Sequence, residues 1–248
     1  LNYLFILFFK IFMSFKINQP LNILLVSCES QELLKRDRFP TEKQLYEALL
    51  KSREDYFFNE IDAQSEKDIW LDQYDGIIIG GSSSSALKEE KRMWNLRLLI
   101  RQAIAGDKPL LWVCFWSQII AQTLGAKVFS GSVWEVGIVN IKLTEKGETD
   151  DLFSSLSKTM KVISAHEDNI LWDESIWTVL AKNSYSDCQS FWIWEWIRGV
   201  QFHPEYSLKT LNQLENIIGL ELTSPQEYDG EKIIDNFLKH FVYRKKYS

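Results

Sequence analysis

From Leu21 onward the chain alternates short, continuous apolar runs with longer stretches in which apolar positions recur every three or four residues. The first pattern belongs to strands buried on both faces and the second to helices lying on a sheet, so the alternation predicts a parallel sheet covered by helices. NILLVSC (22–28) reads as one buried strand and YDGIIIGG (74–81) as another, closed by two glycines. Between them, TEKQLYEALLKS is predicted to be a helix opened by Pro40 and Thr41. Residues 87–105 carry Met93, Leu96, Ile100 and Ile104 at helical spacing, with Gly106 placed to stop the helix. PLLWVC (109–114) is a further buried strand that runs straight into the helical stretch SQIIAQTLGA, which puts Cys114 at a strand-to-helix junction. Residues 133–143, 160–165, 177–182 and 187–202 are predicted strands, several of them antiparallel, and 207–217 and 230–242 are predicted closing helices. The expected fold is an α/β three-layer sandwich with a mainly parallel central sheet and helices on both faces.

No internal repeat or low-complexity linker divides the chain, although SSSS at 82–85 reads as a local flexible loop. Residues 21–248 are therefore expected to form one domain. Residues 1–20 are an N-terminal extension: LNYLFILFFKIF is apolar but short of the roughly 20 residues a bilayer span needs. It also lacks the basic start and small-residue cleavage site of a signal peptide, and Met13 is read as the true start.

At 46% hydrophobic and 25% charged, the composition is that of an ordinary soluble globular protein. A net charge of -6 with no basic stripe argues against nucleic acid as a partner, and no membrane association is expected. Cys28, Cys114 and Cys188 are odd in number and lack CxxC or Cys/His ligand spacing. Neither a disulfide framework nor a metal site is indicated, no cofactor is expected, and a reducing cytoplasm fits best.

A cysteine between a buried strand and a helix start sits where backbone N–H groups and the helix dipole favour an anion, which lowers the thiol pKa. A buried structural cysteine is the plain alternative. The chain has three histidines in which to look for a base. His240 lies in a lysine-flanked C-terminal helix and reads as solvated surface, while His166, in SAHEDN, follows a strand and borders a possible cleft. His203 lies in GVQFHPEYS, where Pro204 ends an apolar strand and leaves the imidazole at its carboxyl end, the edge at which α/β sheets place their sites. Glu205 is positioned to accept the other ring N–H and fix the tautomer. For an isolated His-x-Glu pair, a capping histidine beside a surface glutamate is the competing reading.

Together these segments resemble the class I glutamine amidotransferases. KPLLWVCFWSQIIAQTLGAKVF is similar to that family's nucleophile segment, whose usual form is Gly, hydrophobic, Cys, any residue, Gly, any residue, Gln. GVQFHPE matches its histidine–glutamate segment, and YDGIIIGGSSSSA looks like its oxyanion loop. VWEVGIVNIKLTEKG, SAHEDNI and LAKNSYSDCQSF look like connecting segments of the branch that includes the amidotransferase domain of GMP synthase. The resemblance runs in the family's order over residues 21–245. It implies that Cys114 attacks the side-chain amide of L-glutamine, that His203 carries the proton to departing ammonia, and that Glu205 orients His203. Backbone N–H groups of Gly81 and Phe115 would hold the oxyanion, a contribution of roughly 3–4 kcal/mol when one such donor is lost. Gln118 would line the substrate pocket. The ammonia would pass to a synthetase partner; a stand-alone γ-glutamyl peptide hydrolase uses the same triad without one.

The two glycines of the nucleophile motif are absent, and Trp112 and Trp116 hold their places. A nucleophile elbow is a sharp turn eased by missing Cβ atoms. Tryptophan there is expected to overfill it, at roughly 1–3 kcal/mol per site, and an indole would occupy the glutamine pocket. Three explanations compete. The chain is a degenerate amidotransferase that binds a partner without catalysis; or an active relative that accepts something other than free glutamine; or these tryptophans stand for glycines decoded from a reassigned stop codon. The third is favoured by ten tryptophans against eleven glycines in 248 residues, below the roughly 7% glycine of typical proteins. Trp194, where the family's hairpin favours glycine, and Trp177 extend it, whereas Trp134 occupies a place at which the family itself tolerates tryptophan.

Overall fold

The computed structural model describes residues 19–51, 54–63, 69–82, 91–115, 118–119, 127–170, 177–219 and 227–248. Expectations about Met13, residues 1–18 and Trp116 lie outside these described residues, as does most of SQIIAQTLGA and all of the SSSS loop except Ser82.

The strands are β1 (Leu21–Ser27), β2 (Tyr56–Asp62), β3 (Gly76–Ile79), β4 (Leu110–Val113), β5 (Val128–Leu143), β6 (Thr159–Ile170), β7 (Thr178–Lys182), β8 (Ser190–Trp194) and β9 (Ile197–Val200). They form one sheet in the order β2-β1-β3-β4-β9-β8-β7-β5-β6. The pairings from β2 through β1, β3 and β4 to β9 are all parallel. From β9 onward, through β8, β7, β5 and β6, they are antiparallel. The continuous apolar runs become β1, β3 and β4; β3 and β4, like β9 with its Arg198, are buried at every position because neighbours flank both edges and helices cover both faces.

The helices follow from local signals. Helix α1 (Gln31–Asp37) ends at Arg38, whose backbone is left-handed. Helix α2 (Glu42–Leu49) is opened by a reciprocal capping box, with the Thr41 side chain accepting from the Gln44 backbone and the Gln44 side chain accepting from the Thr41 N–H. Helix α3 (Lys91–Ala105) ends before Gly106, as predicted, yet the left-handed residue that turns the chain away is Asp107. Helix α4 is the single turn Glu145–Glu148. Helix α5 (Leu208–Ile218) is capped by Ser207 and closed by left-handed Gly219. Helix α6 (Gly230–Phe237) continues through a π-helical segment, Leu238–Tyr243, into a last α-helical turn, Arg244–Tyr247.

Alternation along the strands sorts the core into two layers. Ile23, Leu25, Ile78, Leu111 and Val200 pack with Tyr46 and Leu49 of α2 and Ile233, Ile234 and Phe237 of α6. Leu24, Val26, Ile77, Ile79, Leu110, Trp112 and Ile197 pack with Leu96, Leu99, Ile100 and Ala103 of α3. This is the predicted three-layer α/β sandwich, but its sheet is mixed, with four parallel and four antiparallel pairings, rather than mainly parallel.

Three further details differ from expectation. The span 187–202 is a hairpin, because the chain reverses at Glu195 and Trp196 and β9 returns to pair with β4. The 160–165 strand extends to Ile170, carried by its long antiparallel pairing with β5. β2 is hidden in the sequence because it is an edge strand with one neighbour and a largely half-exposed YFFNEID pattern.

Candidate active site

β3, β4 and β9 are adjacent and parallel, so their carboxyl ends share one edge of the sheet. Gly80 and Gly81 follow β3, Cys114 follows β4, and Gln201 to Glu205 follow β9. Residues 81, 114 and 203, far apart in the chain, thereby converge.

Cys114 has φ 51°, a left-handed backbone that costs a non-glycine residue roughly 1–2 kcal/mol. Its N–H donates to Val200 O at 2.8 Å, which pins the turn to the end of β9. Phe115, next in the chain, is already helical. The elbow predicted at the strand-to-helix junction is thus present, and strained, with cysteine at its apex.

His203 is buried, and its N–H donates to Ile163 O of β6 at 2.7 Å. Its Nδ1 donates to Glu205 Oε1 at 2.6 Å, leaving Nε2 for the thiol side of the ring. Burial by itself lowers the His203 pKa, but the Glu205 carboxylate, the neighbouring Cys114 sulfur and hydrogen bonds to both hold it well above the ordinary histidine range. Gly81 closes the group. A Cβ added there would lie 2.7 Å from His203 Cε1 and 3.5 Å from Cys114 Cβ. Tyr206 stacks on the imidazole, with ring centroids 4.1 Å apart and planes at 12°.

These residues line a cavity of about 310 Å³, within the ~300–1,000 Å³ range of small-molecule sites. Gly81, Cys114, Phe115, Gln118 and His203, the candidate residues read from the sequence, all border it. Gln118 is buried and its Nε2 donates to Asp168 O at 3.0 Å, which ties this residue to β6. Glu205 lies behind His203, buried away from the cavity.

His166 also lines the cavity, but both ring nitrogens are engaged, Nδ1 with Asp168 O at 3.2 Å and Nε2 with Glu135 Oε2 at 3.0 Å. Glu135 accepts further hydrogen bonds from Ser164, Asn183 and Gln189. Burial raises the Glu135 carboxyl, yet these donors outweigh it and hold the group below its ordinary value. The network braces the cavity wall. His240 is half-buried in the π-helical segment and does not border the cavity. Cys28 and Cys188 are buried cysteines outside it and in no disulfide, Cys188 being pushed up to about 12 by burial.

Glu42 joins the site without any signal in the sequence. It lines the cavity from the first turn of α2, and its carboxyl lies over Gly80, where an added Cβ would fall 2.0 Å from Oε1. Burial, then the nearby Glu205 charge, hold its pKa well above the usual carboxylate range. Only the packing of α2 against the carboxyl edge of the sheet brings it there.

The expected obstruction by Trp112 does not occur. Trp112 points into the α3 layer while Cys114 belongs to the α2 and α6 layer, and Trp112 does not border the cavity. Its neighbour in the sheet is Gly199, over which the ring of Phe191 leans, with Trp112 and Phe191 centroids 6.3 Å apart. Trp177 lies 5.2 Å from the same Phe191. The indole N–H groups of Trp112 and Trp177 are buried without an acceptor among the described residues. Trp194 is exposed, and none of the three has a positive φ. Among the described residues no group of three or more histidine, cysteine or acidic side chains could hold a metal ion, and no helix is long and apolar enough to cross a membrane.

The sequence model of the family described as "Glutamine amidotransferase class-I" matches residues 41–216, a span that includes Gly81, Cys114, His203 and Glu205. The chain belongs to the class-I glutamine amidotransferase family. Among its relatives, gamma-glutamyl peptidase 5 of Arabidopsis thaliana is 27% identical over 179 residues, 71% of each chain. A glutamine-hydrolyzing GMP synthase subunit from Saccharolobus solfataricus is 28% identical over 153 residues, 60% of this chain and 78% of the relative. The fold matches that of a glutamine amidotransferase from Thermotoga maritima with a TM-score of 0.69 at 18% identity, covering 90% of this chain and 98% of the other.

Proposed function

We propose that the chain hydrolyses the γ-amide bond of L-glutamine or of a related γ-glutamyl compound, with Cys114, His203 and Glu205 as the catalytic triad. The observation that carries this reading is the convergence of Cys114, His203 and the bare Cα of Gly81 at one point of the cavity wall. The raised His203 pKa lets the imidazole hold, beside the Cys114 sulfur, the proton that the leaving nitrogen needs.

The thiolate attacks the γ-carbonyl carbon, forming a C–S bond while the carbonyl electrons move to oxygen. N–H groups of Gly81 and Phe115 are suited to stabilise that oxyanion. Collapse breaks the C–N bond as His203 gives its proton to the leaving nitrogen, releasing ammonia from glutamine or an amine from a larger substrate. Water then attacks the γ-glutamyl thioester, His203 accepts its proton, and the C–S bond breaks to free glutamate and the thiolate. Glu205 holds the Nδ1–H tautomer throughout. With glutamine as substrate, the ammonia is delivered to a synthetase partner.

The test is release of glutamate and of ammonia or amine by the purified protein, with Cys114→Ala as control. Turnover that survives Cys114→Ala, or its absence from the unmodified protein with every γ-glutamyl amide offered, overturns the reading.

A further inference from the structure

The cavity is two-ended, and its ends differ in chemistry. On one side of Cys114 stand Gln118, His166 and Glu167 with the β6 backbone, polar groups suited to an amino acid's charged end. On the other side His203 stacks on Tyr206, and Tyr206 meets Phe39 edge-on at 5.7 Å. Beyond them Leu33 and Leu34 of α1 and Leu214, Ile217 and Ile218 of α5 form an apolar wall, with the mutually paired Arg36 and Asp37 of α1 at its margin.

These side chains are not consumed by the core. In α5 the buried residues are Thr210 and Leu211, and Ile217 remains 42% exposed although it borders the cavity. In α1 the buried residue is Leu34, whereas Leu33 lines the cavity half-exposed. Ammonia needs no such wall.

Direction follows from the chemistry. His203 must protonate the departing nitrogen, so the leaving group lies on the imidazole side of Cys114. That side opens onto Tyr206, Phe39 and the α1–α5 wall. We propose that this wall is a leaving-group subsite, and that the preferred substrates are γ-glutamyl amides whose amine carries a bulky apolar group. The inference rests on the hydrolase reading above, which it narrows from any γ-glutamyl amide to this class.

Binding separates the two claims. With the Cys114→Ala protein, calorimetric affinity for γ-glutamylphenylalanine should exceed that for γ-glutamylglycine by roughly tenfold or more, the scale on which a few apolar groups are discriminated in such pockets. The Leu33→Ser/Ile217→Ser protein on the same background should bring the ratio toward one; each single variant provides the comparison should the double variant fail to fold. Equal affinities, or a ratio untouched by the substitutions, overturn the subsite. On the unmodified protein, kcat/KM should show the same preference over γ-glutamylglycine and over glutamine. Equal turnover of all three sinks the subsite but leaves the hydrolase. Selective binding without turnover of any of them removes the hydrolase and leaves the subsite.

Discussion

His203 Cε1 stands 2.7 Å from where a Cβ on Gly81 would be, closer than side-chain carbons approach one another. The imidazole therefore takes its place beside Cys114 only because residue 81 has no side chain. Gly81→Ala should displace His203 by several tenths of an ångström and lower kcat by roughly tenfold or more, since misplacements of about 1 Å cost up to about 100-fold. Gly81 is not among the residues with positive φ, so alanine there adds no backbone strain, and thermal unfolding should stay close to that of the parent. A wild-type kcat in this variant would contradict the close approach.

Cys114 holds a left-handed backbone that a Cβ makes costly. Cys114→Gly and Cys114→Ala should both lose turnover, but the glycine variant should be more stable than the alanine variant by about 1 kcal/mol in urea unfolding. The reverse order would mean that the elbow is unstrained.

The pKa of His203 is lowered by burial and raised further by Glu205 and Cys114, with a net rise well above the ordinary histidine value. The proton it gives to the leaving nitrogen is therefore retained to higher pH than in a free histidine. Glu205→Gln removes the larger raising charge, so the basic limb of kcat/KM against pH should move to lower pH, along with a fall in rate. An unmoved basic limb would assign it to another group.

Glu42 is a buried carboxyl whose folded-state pKa is raised by burial and by Glu205. Above its unfolded pKa the unfolded chain releases this proton while the folded protein keeps it, so stability falls with rising pH by up to ~1.4 kcal/mol per pH unit until the folded pKa is reached. Glu42→Gln removes that dependence. Its stability relative to the parent should improve as pH rises from about 4.5, the start of the window set by the unfolded carboxyl. Chemical denaturation at a series of pH values reads it, and a constant difference across pH would show that Glu42 is ionised in the fold.

Trp112 fills the layer beneath α3 beside Phe191 and leaves its indole N–H without an acceptor among the described residues. Trp112→Phe keeps the ring packing and drops the orphan donor, so it should cost less than about 1 kcal/mol. Trp112→Gly opens a core cavity and should cost about 3–5 kcal/mol if tryptophan is the residue this core evolved around. A glycine variant as stable as the parent would instead favour glycine as the natural residue, and the codon at 112 in the gene gives the independent reading.

Much of this protein was legible in one dimension. Continuous apolar runs marked β1, β3 and β4, because a strand covered on both faces has no polar side to show. Periodic apolar positions marked α3 and α5, and Cys114 at a strand-to-helix junction with His203 before a proline marked two ends of chemistry. These are local properties, fixed by a residue and its near neighbours. The tertiary structure alone decided that β9 lies beside β4, which joins Cys114 to His203, and that Trp112 faces away from the cavity. It also brought Glu42 and the apolar ends of α1 and α5 to the same cavity. Periodicity tells which face of an element is apolar, but which element covers that face depends on strand order and helix docking between segments distant in the chain.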